Sequence, residues 1–294
     1  MSDPMPGIDL HVHTNQSDGT FTPREVLTVA RERGLDAVAI SDHDTTSGLE
    51  EAVAIGEELW MEVVPGIELS TIYANEGVHV LCYHMDPSDP DLVAELRRLR
   101  DDRERRGDMM VEKLVALGYP VTFERVKEIA GEAPIIRPHI AQAMVESGVV
   151  PDAKSAFTEE FIGSDGRAYV EKHALHPLDA MGLIHAAGGV CVLAHPGTFR
   201  ETKPVPSLLI DEMAAAGLDG IEASHPEHIP EVEQLYIDLA DQFGLFYTGG
   251  SDCHGVRYDP VRLGMRTTRP EQFERLTLRA AELGAERATR TLPR

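Results

Sequence analysis

The chain has 294 residues, of which 50 are acidic and 27 basic, for a formal charge of −23. A surface so acidic argues against gripping long nucleic acid through its phosphates, and no stretch reaches the about 20 apolar residues that a membrane helix needs. Met1-Ser2-Asp3-Pro4 lacks the basic and apolar segments of a secretory signal, and the three cysteines, Cys82, Cys191 and Cys253, are odd in number and lie in apolar runs; both features point to reduced thiols in a cytoplasmic protein.

Ile8-Asp9-Leu10-His11-Val12-His13 is a short apolar run ending at the polar turn Asn15-Gln16-Ser17-Asp18-Gly19, which reads as a buried strand. Alternation along a strand places His11 and His13 on one face. A helix is expected from Thr22 to Arg33, with Pro23 just inside its start and Gly34 just past its end. Ala37-Val38-Ala39-Ile40 is a second strand and runs into Ser41-Asp42-His43-Asp44. After a helix through Trp60, strands are expected at Val63 to Glu68 and Val78 to Tyr83. Residues of about 90–169 read as an inserted, mostly helical subdomain, rich in Arg and Glu. Strand and helix then alternate again through Val190 to Pro196, Gly220 to Ala223 and Phe246 to His254. Some seven strands, mostly separated by helices, imply an α/β chain, 1–294, built as a parallel (β/α) barrel around that insertion.

Nine side chains stand out: His11, His13, Asp18, His43, Glu68, His79, His195, Asp252 and His254. Most fall at or just beyond a strand's C-terminal end, the rim where parallel barrels assemble catalytic groups. Imidazole and carboxylate without thiolate favour Mn, Fe or Zn. Nine ligands exceed what one ion can use, so two or three divalent ions are implied, with Glu68 a natural bridge. Taken singly, each histidine also fits a hydrogen-bonded core residue, and Ser41-Asp42-His43-Asp44 also fits a helix cap. Six such strand endings on one rim favour the metal centre.

The ordered set His11-Val12-His13, Ser41-Asp42-His43, Pro65-Gly66-Ile67-Glu68, His79, Ala194-His195-Pro196 and Ser251-Asp252-Cys253-His254 resembles the PHP (polymerase and histidinol phosphatase) superfamily. The resemblance covers nearly the whole chain. It implies a distorted (β/α)7 barrel with a trinuclear metal site. His11, His13, Glu68 and Asp252 would hold one ion, Glu68, His79 and His195 a second, and Asp18, His43 and His254 the third. Some relatives carry His where Asp18 stands.

Ile136-Arg137-Pro138-His139-Ile140-Ala141, inside the insertion, resembles the PHP phosphoesterases that act on nucleotides. That group removes the 3′-phosphate of nucleoside 3′,5′-bisphosphates, and some members degrade short RNA from its 5′ end. The expected substrate is therefore a small phosphorylated nucleotide or a short oligonucleotide. The planar guanidinium of Arg137 suits a phosphate, although it also fits a structural ion pair beside a helix begun by Pro138. His139, Lys172, Arg200 and His225 are further candidate substrate contacts. Glu68, His195, His225 and Arg137 are the expected catalytic groups, acting with a hydroxide shared by two ions. A histidinol-phosphate phosphatase, a non-catalytic PHP protein-binding module and, more distantly, a deaminase-type amidohydrolase are the competing readings. The sequence sets no oligomeric state.

Overall fold

The structure, a computed structural model, describes residues 7–131, 135–171, 174–198 and 204–291. They form two compact units, one made of the described residues within 1–93 and 175–294 and the other of those within 94–174.

The first unit is an α/β barrel of seven strands, hydrogen-bonded in chain order: β1 (Gly7–Val12), β2 (Leu35–Ile40), β3 (Glu62–Tyr73), β4 (Glu76–Tyr83), β5 (Val190–Leu193), β6 (Gly220–Ser224) and β7 (Phe246–Gly249). The intervening helices are α1 (Pro23–Glu32), α2 (Leu49–Leu59), α6 (Pro177–Ala186), α7 (Ser207–Ala215) and α8 (Pro230–Phe243), and α9 (Pro270–Thr291) follows the last strand. Local chemistry sets these bounds. Thr22 caps α1 in a reciprocal pair with Glu25, Pro23 opens the helix, and Gly34 follows it at φ 75°. Ile8, Leu10, Val64, Leu81, Tyr83, Val190, Val192 and Phe246 pack with Leu276 and Leu283 of α9 as a buried core.

The barrel is distorted in two ways. No ladder joins β7 to β1 among the described residues; β1 meets the segment after β7 through one parallel bridge, Val12 to Cys253. Moreover, β4 runs antiparallel to both β3 and β5, where the sequence pattern pointed to an all-parallel barrel. The cause is the two-residue turn Ala74-Asn75, at φ 49° and 66°. Two left-handed residues in succession make the tight hairpin turn that matches strand twist, which leaves no room for a crossover helix.

The second unit contains the rest of α3 (Pro90–Ala116), then α4 (Phe123–Ala130) and α5 (Arg137–Glu146). Met110, Leu114, Val126, Ile140, Met144 and Ile162 form a separate core. None of its described residues lies in a strand.

Candidate metal centre

Each strand delivers its polar groups by position. His11 lies near the end of β1 and His13 just beyond it. The hairpin delivers Glu68 and His79. Opposite residues of antiparallel strands share a face; Glu68 opposes Leu81 and Ser70 opposes His79, so Glu68 and His79 project together. His195 and Asp252 adopt φ of 25° and 47°, left-handed conformations unusual for such residues and typical of strained functional sites.

Glu68 is fully buried and collects five imidazoles. Its Oε1 lies 2.9 Å from His79 Nδ1 and 3.0 Å from His195 Nε2. Its Oε2 lies 3.3 Å from His11 Nε2, 3.2 Å from His13 Nε2 and 3.0 Å from His43 Nδ1. Asp252 Oδ1 is 3.3 Å from His13 Nε2, and Asp18 Oδ1 is 3.1 Å from His254 Nε2. All nine residues thus fall into overlapping ligand groups: His13, Asp18, His43 and His254; His11, Glu68 and His195; His11, His13 and Asp252; His43, Glu68 and His79. Within each group the ligand atoms lie within 4.8 Å of one another. This partition differs from the resemblance's: His13 also joins the Asp18 group, and His11 joins Glu68 and His195.

The residues fit divalent ions. Glu68 Oε2, His13 Nδ1, His43 Nδ1 and Asp18 Oδ1 are buried atoms without a hydrogen bond, although several of them approach one another within ion-pair range. Each such orphan costs about 1–3 kcal/mol, and lone pairs converging on one volume are what a cation relieves. The electrostatics agree. Burial opposes the charge on Glu68, but His43, His79 and His11 hold its carboxyl well below the ordinary range. Burial also opposes ionisation of Asp252, and His254, His13 and His225 overcome it. Burial would neutralise His13, yet the carboxylates of Asp252 and Glu68 push its pKa up to about 10. For His43, burial prevails over the attraction of Glu68 and drives the value down to about 3.

Around this cluster stand buried groups that fix it. Asp42 accepts hydrogen bonds from Thr14 N at 2.8 Å, Thr14 Oγ1 at 2.6 Å and Ser17 Oγ at 2.5 Å, which holds the turn leading to Asp18. Asp44 accepts from Ser70 N at 2.8 Å. Asp9 accepts from Ser251 N at 2.9 Å and Gly264 N at 2.8 Å. Glu222, on β6, was not singled out from the sequence; it contacts His11 Nδ1 at 3.0 Å and accepts from His195 N at 2.8 Å. Its one signal is a carboxylate inside the apolar run Gly220-Ile221-Glu222-Ala223. His225 is buried; its Nδ1 accepts from Glu227 N at 3.1 Å, which leaves the ring proton on Nε2, 3.4 Å from Asp252 Oδ2.

In the second unit, Arg137 opens α5 with its guanidinium 5.6 Å from the Phe157 ring and 5.8 Å from the Tyr169 ring. Its one hydrogen bond among the described residues goes to Ile162 O at 3.5 Å, and no described carboxylate pairs with it. His139 Nδ1 accepts from Ile136 N at 3.3 Å, within its own helix cap. Lys172 and Arg200 lie outside the described residues.

Residues 9–121 match the PHP domain. The chain is 34% identical over 251 residues to the 3′,5′-nucleoside bisphosphate phosphatase of Chromobacterium violaceum, an alignment covering 85% of this chain and 88% of that protein. It is also 34% identical over 255 residues to the phosphoribosyl 1,2-cyclic phosphate 1,2-diphosphodiesterase of Eggerthella lenta, covering 84% and 94%. A crystal structure of a candidate metal-dependent phosphoesterase from Bifidobacterium adolescentis superposes with a TM-score of 0.83 at 34% identity, covering 94% of this chain and 97% of that one.

Proposed function

Because this chain belongs to the PHP family of metal-dependent phosphoesterases, we propose that it hydrolyses phosphate monoesters of nucleotides, first the 3′-phosphate of nucleoside 3′,5′-bisphosphates, as in pAp to AMP. His11, His13, Asp18, His43, Glu68, His79, His195, Asp252 and His254 are the proposed ligands of two or three divalent ions, Mn, Fe or Zn. Such ions supply Lewis acidity toward phosphoryl oxygens and acidify a water for attack near neutral pH. Glu68 would be the carboxylate that two of the ions hold in common, and its five imidazole neighbours fix it in place. A leaving sugar oxygen needs a proton. His225 is the proposed partner of that oxygen: its Nε2 carries the ring hydrogen and can donate a hydrogen bond, but with Nδ1 accepting from Glu227 N the neutral ring has no second proton to give, so the transferred proton comes from solvent water; His139 Nδ1 serves its own helix cap.

The observation that carries the nucleotide reading is Arg137. A guanidinium 5.6 and 5.8 Å from two aromatic rings, with no described carboxylate partner, is available to an anion. The unit 94–174 is accordingly the proposed substrate-binding subdomain, with Arg137 as its phosphate contact. Similarity to the Chromobacterium enzyme supports the same substrate class. Similarity to the Eggerthella enzyme, at equal identity, favours a cyclic phosphodiester as the second reading. The test is turnover by Mn-reconstituted protein of adenosine 3′,5′-bisphosphate, adenosine 5′-monophosphate, histidinol phosphate, a ribose 1,2-cyclic phosphate and 5′-phosphorylated short RNA. The bisphosphate should give the highest kcat/KM. Preference for histidinol phosphate or the cyclic diester would contradict the proposal.

A further inference from the structure

We propose that Glu222 is a positioning residue that fixes the ring tautomer of His11, and so decides whether His11 can bind an ion at all. The inference rests on reading the nine-residue cluster as a metal centre. Glu222 is fully buried on β6, and its two oxygens lie 3.0 and 3.2 Å from His11 Nδ1. A carboxylate only accepts hydrogen bonds, so the ring hydrogen of His11 must sit on Nδ1. In the neutral ring, the form that can ligate an ion, that leaves a lone pair on Nε2. This atom lies 3.1 Å from His13 Nε2, 3.3 Å from Glu68 Oε2 and 3.7 Å from Asp252 Oδ1, so the lone pair enters the ligand cluster.

The same carboxylate accepts the backbone N–H of His195 at 2.8 Å, where the chain is held at φ 25°. Glu222 therefore anchors one ligand from β1 and another from the end of β5. His11 belongs to two of the ligand groups, so the anchor acts on both. Gly250 closes the contact: a Cβ there would press on the His11 Cβ and come within 2.9 Å of Glu222 Oε1.

Two donors converge on this carboxylate, and the change to an amide replaces one of its acceptor oxygens, the one 3.0 Å from His11 Nδ1, with an NH2 donor. In Glu222→Gln the His195 N–H is fixed and takes the amide oxygen. The amide NH2 then faces His11 Nδ1, which can accept only by moving its hydrogen to Nε2. An isosteric change thereby turns a ligand lone pair into an N–H aimed at the ion, the effect of reversing a histidine tautomer.

The test has two arms, neither of which uses turnover, so it stands apart from the substrate assignment. In the first, 15N-labelled Zn-loaded protein is examined by long-range 1H–15N correlation, with His11 assigned by its loss in His11→Gln. The expected spectrum shows His11 with hydrogen on Nδ1; hydrogen on Nε2 in the wild-type protein overturns the proposal by itself. In the second, Zn stoichiometry is measured against graded chelator for wild type, Glu222→Gln and Glu222→Asp. Glu222→Gln should weaken the His11-dependent ions by about 10–100-fold and spare the group of His13, Asp18, His43 and His254. Glu222→Asp, which keeps an acceptor, should retain the wild-type tautomer. Unchanged affinity in Glu222→Gln would overturn the proposal. If Glu222→Gln fails to fold, the wild-type spectrum still decides. A wild-type protein that binds no Zn would overturn both this proposal and the metal centre beneath it.

Discussion

Glu68 is the residue on which the centre turns, because one buried carboxylate meets five imidazoles within 3.3 Å. Glu68→Gln keeps the shape but gives up the charge and one acceptor. It should release bound metal and lower kcat/KM by more than about 100-fold, read by elemental analysis and by steady-state kinetics on the same preparation. Arg137→Ala should behave differently. Losing a charge-assisted hydrogen bond costs about 1.5–3 kcal/mol, so KM for a nucleotide bisphosphate should rise about 10- to 100-fold with ion content unchanged. A fall in ion content would instead give Arg137 a structural role. The two residues also mark how far the sequence was legible. Histidines and aspartates at strand ends stood out because barrels place reactive groups there. Glu222, Asp9 and Asp42 did not, because a carboxylate's partners come from other strands: Glu222 meets His11 across 211 positions of chain.

At the scale of elements, the β3–β4 hairpin is what departs from the parallel pattern. Val63 to Glu68 and Val78 to Tyr83 were both legible as strands, but their relative direction depends on a turn whose first residue is an alanine. Ala74 at φ 49° is strained without the glycine that such turns favour. Ala74→Gly should therefore stabilise the protein by about 1 kcal/mol, seen as a small rise in Tm. A drop in Tm would show that the turn is not held left-handed. A second tie joins α6, β5 and α9 through Asp219, which meets His185 Nε2 at 2.8 Å and accepts from Cys191 N at 2.8 Å and Arg279 Nε at 2.7 Å. Burial opposes its charge, but the bonds to His185 and Arg279 hold the carboxyl below its ordinary value. A depressed folded pKa contributes stability that is present above the unfolded value of about 3.9 and lost as pH falls through the folded one. Asp219→Asn should thus cost about 2–3 kcal/mol at neutral pH, and its deficit should shrink as the pH falls below about 4. A deficit independent of pH would contradict the charged role.

For the whole molecule, the formal charge is −23, which by itself disfavours a phosphorylated ligand. Carboxylates that would repel a phosphate become its binding site once cations neutralise them. Ions that bind only the folded chain stabilise it, by about 2.7 kcal/mol at a hundredfold excess over Kd. Chelation should therefore lower Tm reversibly, with Mn restoring it, whereas an unchanged Tm would mean that folded chain and ion are uncoupled. The most direct measurement of the central claim is the 31P spectrum of Mn-loaded protein incubated with adenosine 3′,5′-bisphosphate. The expected result is equal amounts of inorganic phosphate and adenosine 5′-monophosphate, abolished by chelation. Release of adenosine 3′-monophosphate, or no inorganic phosphate, would contradict it.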